Sequence, residues 1–323
     1  MRAAWYEKQG PAREVLTVGE MPDPTPAAGE VRIRIAASGI NPGDIKKRQD
    51  SFGIGMAYPR VIPHSDGAGR IDQVGDGVPA EWLGKPVWCY GAQSYRPFGT
   101  AAEFTVVPVE KVAPLPDNVS ADQGACFGIP GITAHRAVFV AGPVNGHTVL
   151  VQGAGSVGLC AIQLARRGGA HVIGTIRSPS EEAIAKNAGA HEVLLNDQDF
   201  RARITALAPA GIDHIVEVAF GVNIESDVEL LKMDGSIATY ATDNAAPKIP
   251  FWQMVFKNIR IFFLGSDDFP VEAKIAATHD LNSALEVGWQ GFEIAERIPL
   301  SEIASAHELA EHPARPGRVV VTL

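Results

Sequence analysis

The stretch Thr148 to Ser178, TVLVQGAGSVGLCAIQLARRGGAHVIGTIRS, decides the fold. Its first residues, Thr148 to Gln152, form an apolar, β-branched run of the kind that a parallel strand buried on both faces requires. Gly153, Gly155 and Gly158 then spell G-x-G-x-x-G where that strand must turn into a helix. In such a turn the first glycine permits the tight bend, the second lets the backbone approach a pyrophosphate, and the third lets helix and strand pack closely. The helix expected over Ser156 to Arg167 carries apolar Val157, Leu159, Ile162 and Leu164. It would aim its unpaired N–H groups and positive dipole end at the pyrophosphate. A second strand is expected from His171 to Ile176. The glycine pattern alone is weak in a chain with 33 glycines. The strand before it, and the helix and strand behind it, make it a βαβ unit for a dinucleotide.

The end of the second strand separates the two nicotinamide dinucleotides. NAD sites usually place Asp or Glu about 20 residues beyond the first glycine, on the ribose 2′-hydroxyl. Here the window reads Ile173, Gly174, Thr175, Ile176, Arg177, Ser178, without an acid. A guanidinium and hydroxyls suit a 2′-phosphate, which Arg grips bidentately. The expected cofactor is NADP(H), with Thr175, Arg177 and Ser178 at this end.

With 323 residues, 46% of them hydrophobic, the chain can bury a core large enough for two domains. Its formal charge of −9 and lack of Lys/Arg runs argue against a nucleic-acid or anionic-membrane partner. No stretch approaches a membrane span, and MRAAWYEKQG lacks the apolar core of a signal peptide. The expected compartment is cytoplasmic. Cys89, Cys126 and Cys160 are too scattered for a disulfide framework or a Cys-x-x-Cys metal site.

From Met1 to about Pro116 short alternating runs suggest strands over 2–6, 15–18, 30–36, 68–74, 86–89 and 102–107, punctuated by Gly and Pro. This predicts an irregular, barrel-like β domain whose loops, 38–48 and 63–69, carry most of its polar functional groups. Residues 118–139 read as helical. Strand and helix then alternate through about Gly265, giving six strands with helical connections, a doubly wound parallel sheet. After Gly265 the alternation stops. Helices are expected over 276–287 and 301–311 and a last strand over 318–323, so the tail returns to the first domain. The expected boundaries are 1–122 and 267–323 for the substrate domain and 123–266 for the cofactor domain.

With that layout, the chain resembles the medium-chain dehydrogenase/reductase superfamily, and within it the zinc-independent, zeta-crystallin-like quinone oxidoreductases. The markers are Asn41-Pro42-Gly43-Asp44, Pro63-His64-Ser65-Asp66-Gly67-Ala68-Gly69, Gly99-Thr100-Ala101-Ala102-Glu103-Phe104, Gly131-Ile132-Thr133-Ala134, the glycine turn, and Gly317-Arg318-Val319-Val320. The resemblance implies a Rossmann-type doubly wound sheet inserted into a GroES-like β-barrel substrate domain, and a homodimer; the run VFKNIRIFFLG reads equally as an edge strand for it or as plain core. It places Asn41 and Thr133 near the nicotinamide, Gly153, Gly155, Ser156, Val157 and Gly158 under the pyrophosphate, and Arg318 against the cofactor from the tail.

Zinc alcohol dehydrogenases of the same superfamily have Cys where this chain has Asn41, and Gly-His-Glu where it has His64-Ser65-Asp66. The implied register puts Ser65 at the ligand position, and no metal site is expected; His64, Asp66 and Cys126 are the one conceivable set. The chain also departs from quinone reductases, which often have Tyr at Lys46, Lys at Glu181 and Tyr at Asp197.

The expected activity is therefore NADPH-dependent hydride transfer to a quinone or an α,β-unsaturated carbonyl, with Asn41, Lys46 and Tyr58 as candidate hydrogen-bond donors. The alternative is an NADP(H)-binding sensor or structural protein with little turnover. A hydrolase with Ser156 on a nucleophile elbow fits poorly, because His279 and His312 lie outside the alternating segment.

Overall fold

Along the strand Glu30–Gly39, Val31, Ile33, Ile35 and Ala37 point inward and Arg32 and Arg34 outward, so one face of its sheet is core and the other is wet. The computed structural model describes residues 1–313 and 316–323, and in it the chain divides into two units. Unit 1 comprises Met1–Pro130 and Lys274–Leu323, and unit 2 comprises Gly131–Ala273.

Unit 1 begins with β1 (Arg2–Trp5), β2 (Thr17–Glu20), β3 (Glu30–Gly39), β4 (Asp66–Val74), β5 (Pro86–Cys89), β6 (Phe104–Pro108) and β7 (Val112–Pro114). Strands β1 and β2 make a small antiparallel ribbon. β3 pairs antiparallel with β4 and β6, β4 with β5, and β5 with β7. Val31, Ile33, Ile35, Ile71, Val87 and Val107 fill the core beneath them.

Several stretches of this unit differ from the sequence reading, the short strand β7 among them. Val15 ends a short helix, Ala12–Val15, and the strand begins only at Thr17. The loop expected over 38–48 is the end of β3 followed by a helix, Pro42–Arg48. Pro42 opens it, the Asp44 carboxylate accepts the Asn41 backbone N–H at 2.8 Å, and Lys46, Lys47 and Arg48 fill its last turn, where the dipole favours cations. The helix expected over 118–139 is two, Ala121–Gly124 and Gly128–Phe139. They part because Ile129 N–H donates to the Asp66 carboxyl at 2.9 Å and Gly128 lies so close that a Cβ there would stand 2.1 Å from Asp66 Oδ1.

Unit 2 holds β8 (Thr148–Val151), β9 (His171–Ile176), β10 (Glu192–Leu195), β11 (Ile212–Glu217), β12 (Leu231–Thr239) and β13 (Arg260–Phe263). All pairings are parallel, in the spatial order β10-β9-β8-β11-β12-β13. Strand order reverses at β8 and β11, and the crevice at such a switch point is where open α/β sheets bind ligands. Leu150, Ile173, Ile215 and Ile237 meet Ile204, Phe220, Ile224 and Val228 of the helices in one core. A helix not expected from the sequence, Phe251–Phe256, precedes β13.

The tail rejoins unit 1 through the helix Val271–Glu286, β14 (Ile294–Pro299), the helix Ile303–Glu311 and β15 (Arg318–Thr322). β15 pairs antiparallel with β3 and parallel with β14, which the sequence reading did not anticipate. Unit 1 thus depends on both ends of the chain.

The turn after β8 sets a testable contrast. A Cβ on Gly158 would stand 1.9 Å from the Gly153 carbonyl oxygen, whereas one on Gly155 would meet nothing within 4 Å. Gly158→Ala should cost about 2 kcal/mol in denaturant unfolding, as overpacking does, and Gly155→Ala should leave stability nearly unchanged. Equal losses would contradict this packing.

Candidate active site

In unit 2 the glycine turn is built from backbone. Gly153 sits at φ 82°, in the left-handed region that favours glycine. Gly155 is the N-cap of the twelve-residue helix Ser156–Arg167 and no side chain caps it. The helix's first bond runs from Leu159 N–H to the Gly155 carbonyl at 2.8 Å, so the N–H groups of Ser156, Val157 and Gly158 precede the intrahelical ladder. Open space over Gly155 and an uncapped helix start are what a pyrophosphate requires, so the residues present fit the dinucleotide.

The expected cofactor residues divide by exposure. Arg177 and Ser178 are exposed just beyond β9. Thr175 is buried, and its hydroxyl accepts the Gly153 N–H at 2.9 Å, so it holds the turn from beneath. Thr133 is buried on the helix Gly128–Phe139. Glu181 is an acid that the sequence window excluded. It folds back so that its carboxylate accepts the N–H groups of Arg177 at 2.8 Å and Ser178 at 3.3 Å. The pattern Ser178-x-x-Glu181 is a capping box and could have revealed it.

In unit 1, Asn41 lies where β3 gives way to the helix Pro42–Arg48. Its Nδ2 donates to Asp66 Oδ2 at 2.6 Å and its Oδ1 accepts from Arg318 Nη2 at 2.9 Å, an arrangement that fixes the orientation of the amide. All three residues are buried. Burial raises the Asp66 carboxyl to about 7, against the lowering effect of its hydrogen bond from Asn41. Arg318 also reaches the Cys126 thiol and lies over the Phe292 ring. Lys46 and Tyr58 are partly exposed and stand outside this network. The Lys46 ammonium lies 5.9 Å from the Phe52 ring centre, and the Tyr58 hydroxyl donates to the Tyr95 carbonyl.

Behind Asp66 runs a buried chain that the sequence did not suggest. Arg48 Nε donates to His307 Nδ1 at 3.3 Å, which leaves the proton of a neutral His307 on Nε2. That Nε2–H donates to His64 Nε2 at 2.9 Å, so the His64 proton is on Nδ1 and donates to Ser38 Oγ at 2.8 Å. Ser38 passes to Thr100 Oγ1 at 2.7 Å, and Thr100 to the Asp66 carbonyl at 2.6 Å. Burial pushes His64 down to about 3 and His307 well below its usual range, so both rings are neutral. Arg48 is closed off by Glu311 and the Gly10 carbonyl. His64 pays for its place with a left-handed φ of 75°. Its outer nitrogen is committed to His307, and among the described residues no three His, Cys, Asp or Glu side chains converge as a metal site, the set His64, Asp66 and Cys126 included.

Two family profiles match the chain: the alcohol dehydrogenase GroES-like domain over residues 27–117 and the zinc-binding dehydrogenase domain over 156–278. The chain is similar to the quinone oxidoreductase of Rattus norvegicus, with 32% identity over 98% of this chain and 96% of the relative. Among solved structures it is similar to a mycobacterial protein complexed with NADPH (TM-score 0.85, 25% identity) and to an NAD-dependent alcohol dehydrogenase (TM-score 0.84, 25% identity), each alignment covering 100% of both chains. A match to the rat enzyme over nearly the whole length of both chains, with the two family profiles over the strand-rich unit and the segment after the glycine turn, means that this chain belongs to the quinone oxidoreductase family of the medium-chain dehydrogenase/reductase superfamily.

Proposed function

We propose that this protein is an NADPH-dependent reductase that transfers hydride to a quinone or an α,β-unsaturated carbonyl without zinc. The observation that carries the reading is the uncapped helix start behind Gly155 with open space above it. The first-turn N–H groups of Ser156, Val157 and Gly158 would hold the pyrophosphate, and Arg177 with Ser178 the 2′-phosphate. The family pattern would place Asn41 and Thr133 at the nicotinamide end and bring Arg318 against the cofactor from the tail. The name of the rat relative supports a quinone acceptor, and the NADPH complex of the mycobacterial neighbour supports the cofactor.

NADPH, when bound, supplies the hydride. The chain's own residues orient the acceptor and stabilise the charge that arrives on its oxygen. In a conjugated acceptor that charge spreads, and a hydrogen-bond donor such as Lys46 or the second N–H of Asn41 suffices, worth about 2.7 to 4 kcal/mol when well placed. Tyr58 would have to leave the Tyr95 carbonyl to act. A simple alcohol calls for a stronger electrophile, whereas Asn41 and Ser65 stand at the family's ligand positions and His64 is tied to His307. Three buried cysteines outside any disulfide suit the reducing cytoplasm, where we place the protein.

A homodimer is proposed through unit 2. β13 is at one edge of its sheet, with Phe263 73% exposed, and Phe251, Trp252, Val255 and Phe256 of the adjoining helix are exposed as well. An apolar edge of this kind is covered in a stable protein. Phe263→Lys should convert a dimer to a monomer in analytical ultracentrifugation; a wild-type monomer at micromolar concentration would contradict the assignment.

For the cofactor, NADPH should bind more tightly than NADH. Arg177→Ala should weaken NADPH about tenfold, as loss of a charge-assisted contact does, and leave NADH unchanged. Glu181→Gln, which keeps the backbone contact and removes the charge, should tighten NADPH. Equal affinities for the two dinucleotides would defeat this reading.

For the reaction, NADPH should be oxidised by quinones or enones with negligible NADP-dependent oxidation of ethanol or benzyl alcohol. Purified protein should contain no stoichiometric zinc and withstand chelators. Faster turnover of the alcohols, or activity lost with a tightly held zinc, would point to the alcohol dehydrogenase chemistry of the other neighbour. NADPH binding without turnover of any acceptor would favour the sensor.

A further inference from the structure

Unit 2 buries two carboxyl groups that the proposed reaction does not use. Glu217 ends β11, Asp227 lies on the helix Phe220–Leu230, and both are 0% exposed. Asn223, one turn before Asp227 on the same face of that helix, donates to both Glu217 oxygens, which brings the Glu217 carboxyl against the face that carries Asp227. From Asp227 a chain of hydrogen bonds runs to the glycine turn. Gly153 N–H donates to Thr175 Oγ1 at 2.9 Å, Thr175 Oγ1–H donates to Gln152 Oε1 at 3.0 Å, and Gln152 Nε2–H donates to Asp227 Oδ1 at 2.9 Å.

Each donor in that chain is fixed by the one before it. Thr175 spends its hydroxyl proton on Gln152, so Gln152 presents its NH2 to Asp227, and Asp227 Oδ1 must accept. Asp227 Oδ2 is buried and receives no N–H or O–H from any described residue. Glu217, by contrast, accepts from the Ala219 N–H and from Asn223 Nδ2 at 3.1 and 3.2 Å. With two buried carboxyls on one helix face, one rich in donors and the other lacking one at Oδ2, a proton on that oxygen directed to Glu217 would match both.

We propose that Asp227 is a positioning residue for the dinucleotide cradle: one proton shared by Asp227 and Glu217 locks the chain through Gln152 and Thr175 that holds Gly153. This rests on the reading of the glycine turn as the pyrophosphate site. Loss of the proton would set two buried carboxylates against each other and release the chain at its Asp227 end, on the helix. Gly153 would then lose the hydroxyl that keeps it in its left-handed conformation.

The charge balance sets the direction of the pH effect. Burial, then the neighbouring Glu217, holds Asp227 well above the ordinary carboxylate range, and burial raises Glu217. The titratable groups that face the pair are the Tyr240 phenol, itself raised by burial and by Glu217, and behind it the Cys160 thiol. Above about pH 4 the unfolded chain has released the proton that the folded chain keeps. The lock is therefore complete at low pH and is lost as pH rises through the ionisation of the pair.

The test follows the Gly153 amide by hydrogen-exchange NMR in NADPH-free protein, with NADPH titrated in parallel, from neutral pH upward as far as the protein stays folded. In the wild type, Gly153 protection and NADPH affinity should fall together as pH rises. Asp227→Asn keeps a donor toward Glu217 and an acceptor toward Gln152 but cannot ionise. It should match the wild type at pH 7 within about twofold and show no such fall. Asp227→Ala should lose about tenfold in both at pH 7. If it does not fold, the comparison of the wild type with Asp227→Asn decides alone. Flat wild-type profiles, or an Asp227→Asn profile as steep as the wild type's, overturn the proposal. Protection that follows this pattern in a protein that binds no NADPH upholds the shared proton and rejects the cofactor reading instead.

Discussion

The close approach of Gly158 to the Gly153 carbonyl is the constraint on which unit 2 depends. With no Cβ in the way, the helix Ser156–Arg167 starts directly over the end of β8. Ile162 and Leu164 are buried by that helix, and Leu150 and Ile173 by the strands on which it rests. The same approach leaves the first turn of the helix without a side-chain cap. A local requirement for glycine thus becomes both a packing contact and the uncapped helix start proposed as the anion site. Neither can be adjusted without the other, because the helix axis that buries the apolar residues also sets where the N–H groups point.

Burial of ionisable groups is the second organising feature, and in both units it suppresses charge. Asp66 in unit 1, and Asp227 and Glu217 in unit 2, are raised by desolvation, while His64 and His307 are lowered by it. Such groups are costly unless every donor and acceptor is matched. In unit 1 the chain from Arg48 to Thr100 is paired at each step through two neutral imidazoles whose tautomers follow from a single arginine, and in unit 2 a side-chain amide and a hydroxyl link Asp227 Oδ1 to Gly153. Breaking either at one member leaves a buried group unpaired, a larger loss than the hydrogen bond itself.

Much of this architecture is legible in the sequence, and what is not has a common cause. The apolar period marks β8, the helix Ser156–Arg167 and β9 with little error, because their apolar patterns and the glycine turn between them are local features of the chain. The first-turn proline and basic last turn of Pro42–Arg48 are local signals too, but a short run rich in charge reads as a loop. The pairings that build the sites are of another kind. Asn41 meets Arg318 across 277 residues, His64 meets His307 across 243, and Gln152 meets Asp227 across 75. No local pattern distinguishes these side chains from solvated ones. Glu181 lies near its partners, yet a search for an acid at the end of β9 stops before it, since it reaches back only once the turn has formed.

The position of Arg318 carries a consequence for the proposed chemistry. Asn41 is held on one side by the Asp66 carboxyl, from the start of β4, and on the other by a guanidinium from β15, delivered by the last strand of the chain. The amide is thereby oriented before any acceptor arrives, so reorganisation at the moment of charge transfer is small. A neutral donor fixed in this way suits an acceptor whose incoming charge is delocalised, because it stabilises modest charge on an oxygen without demanding a counter-ion. It also makes the donor hostage to the fold. Strand β15 pairs with β3 only if the tail returns to the first unit, so the preorganisation of Asn41 is a property of the discontinuous domain and not of the segment 41–44 that signals it in the sequence.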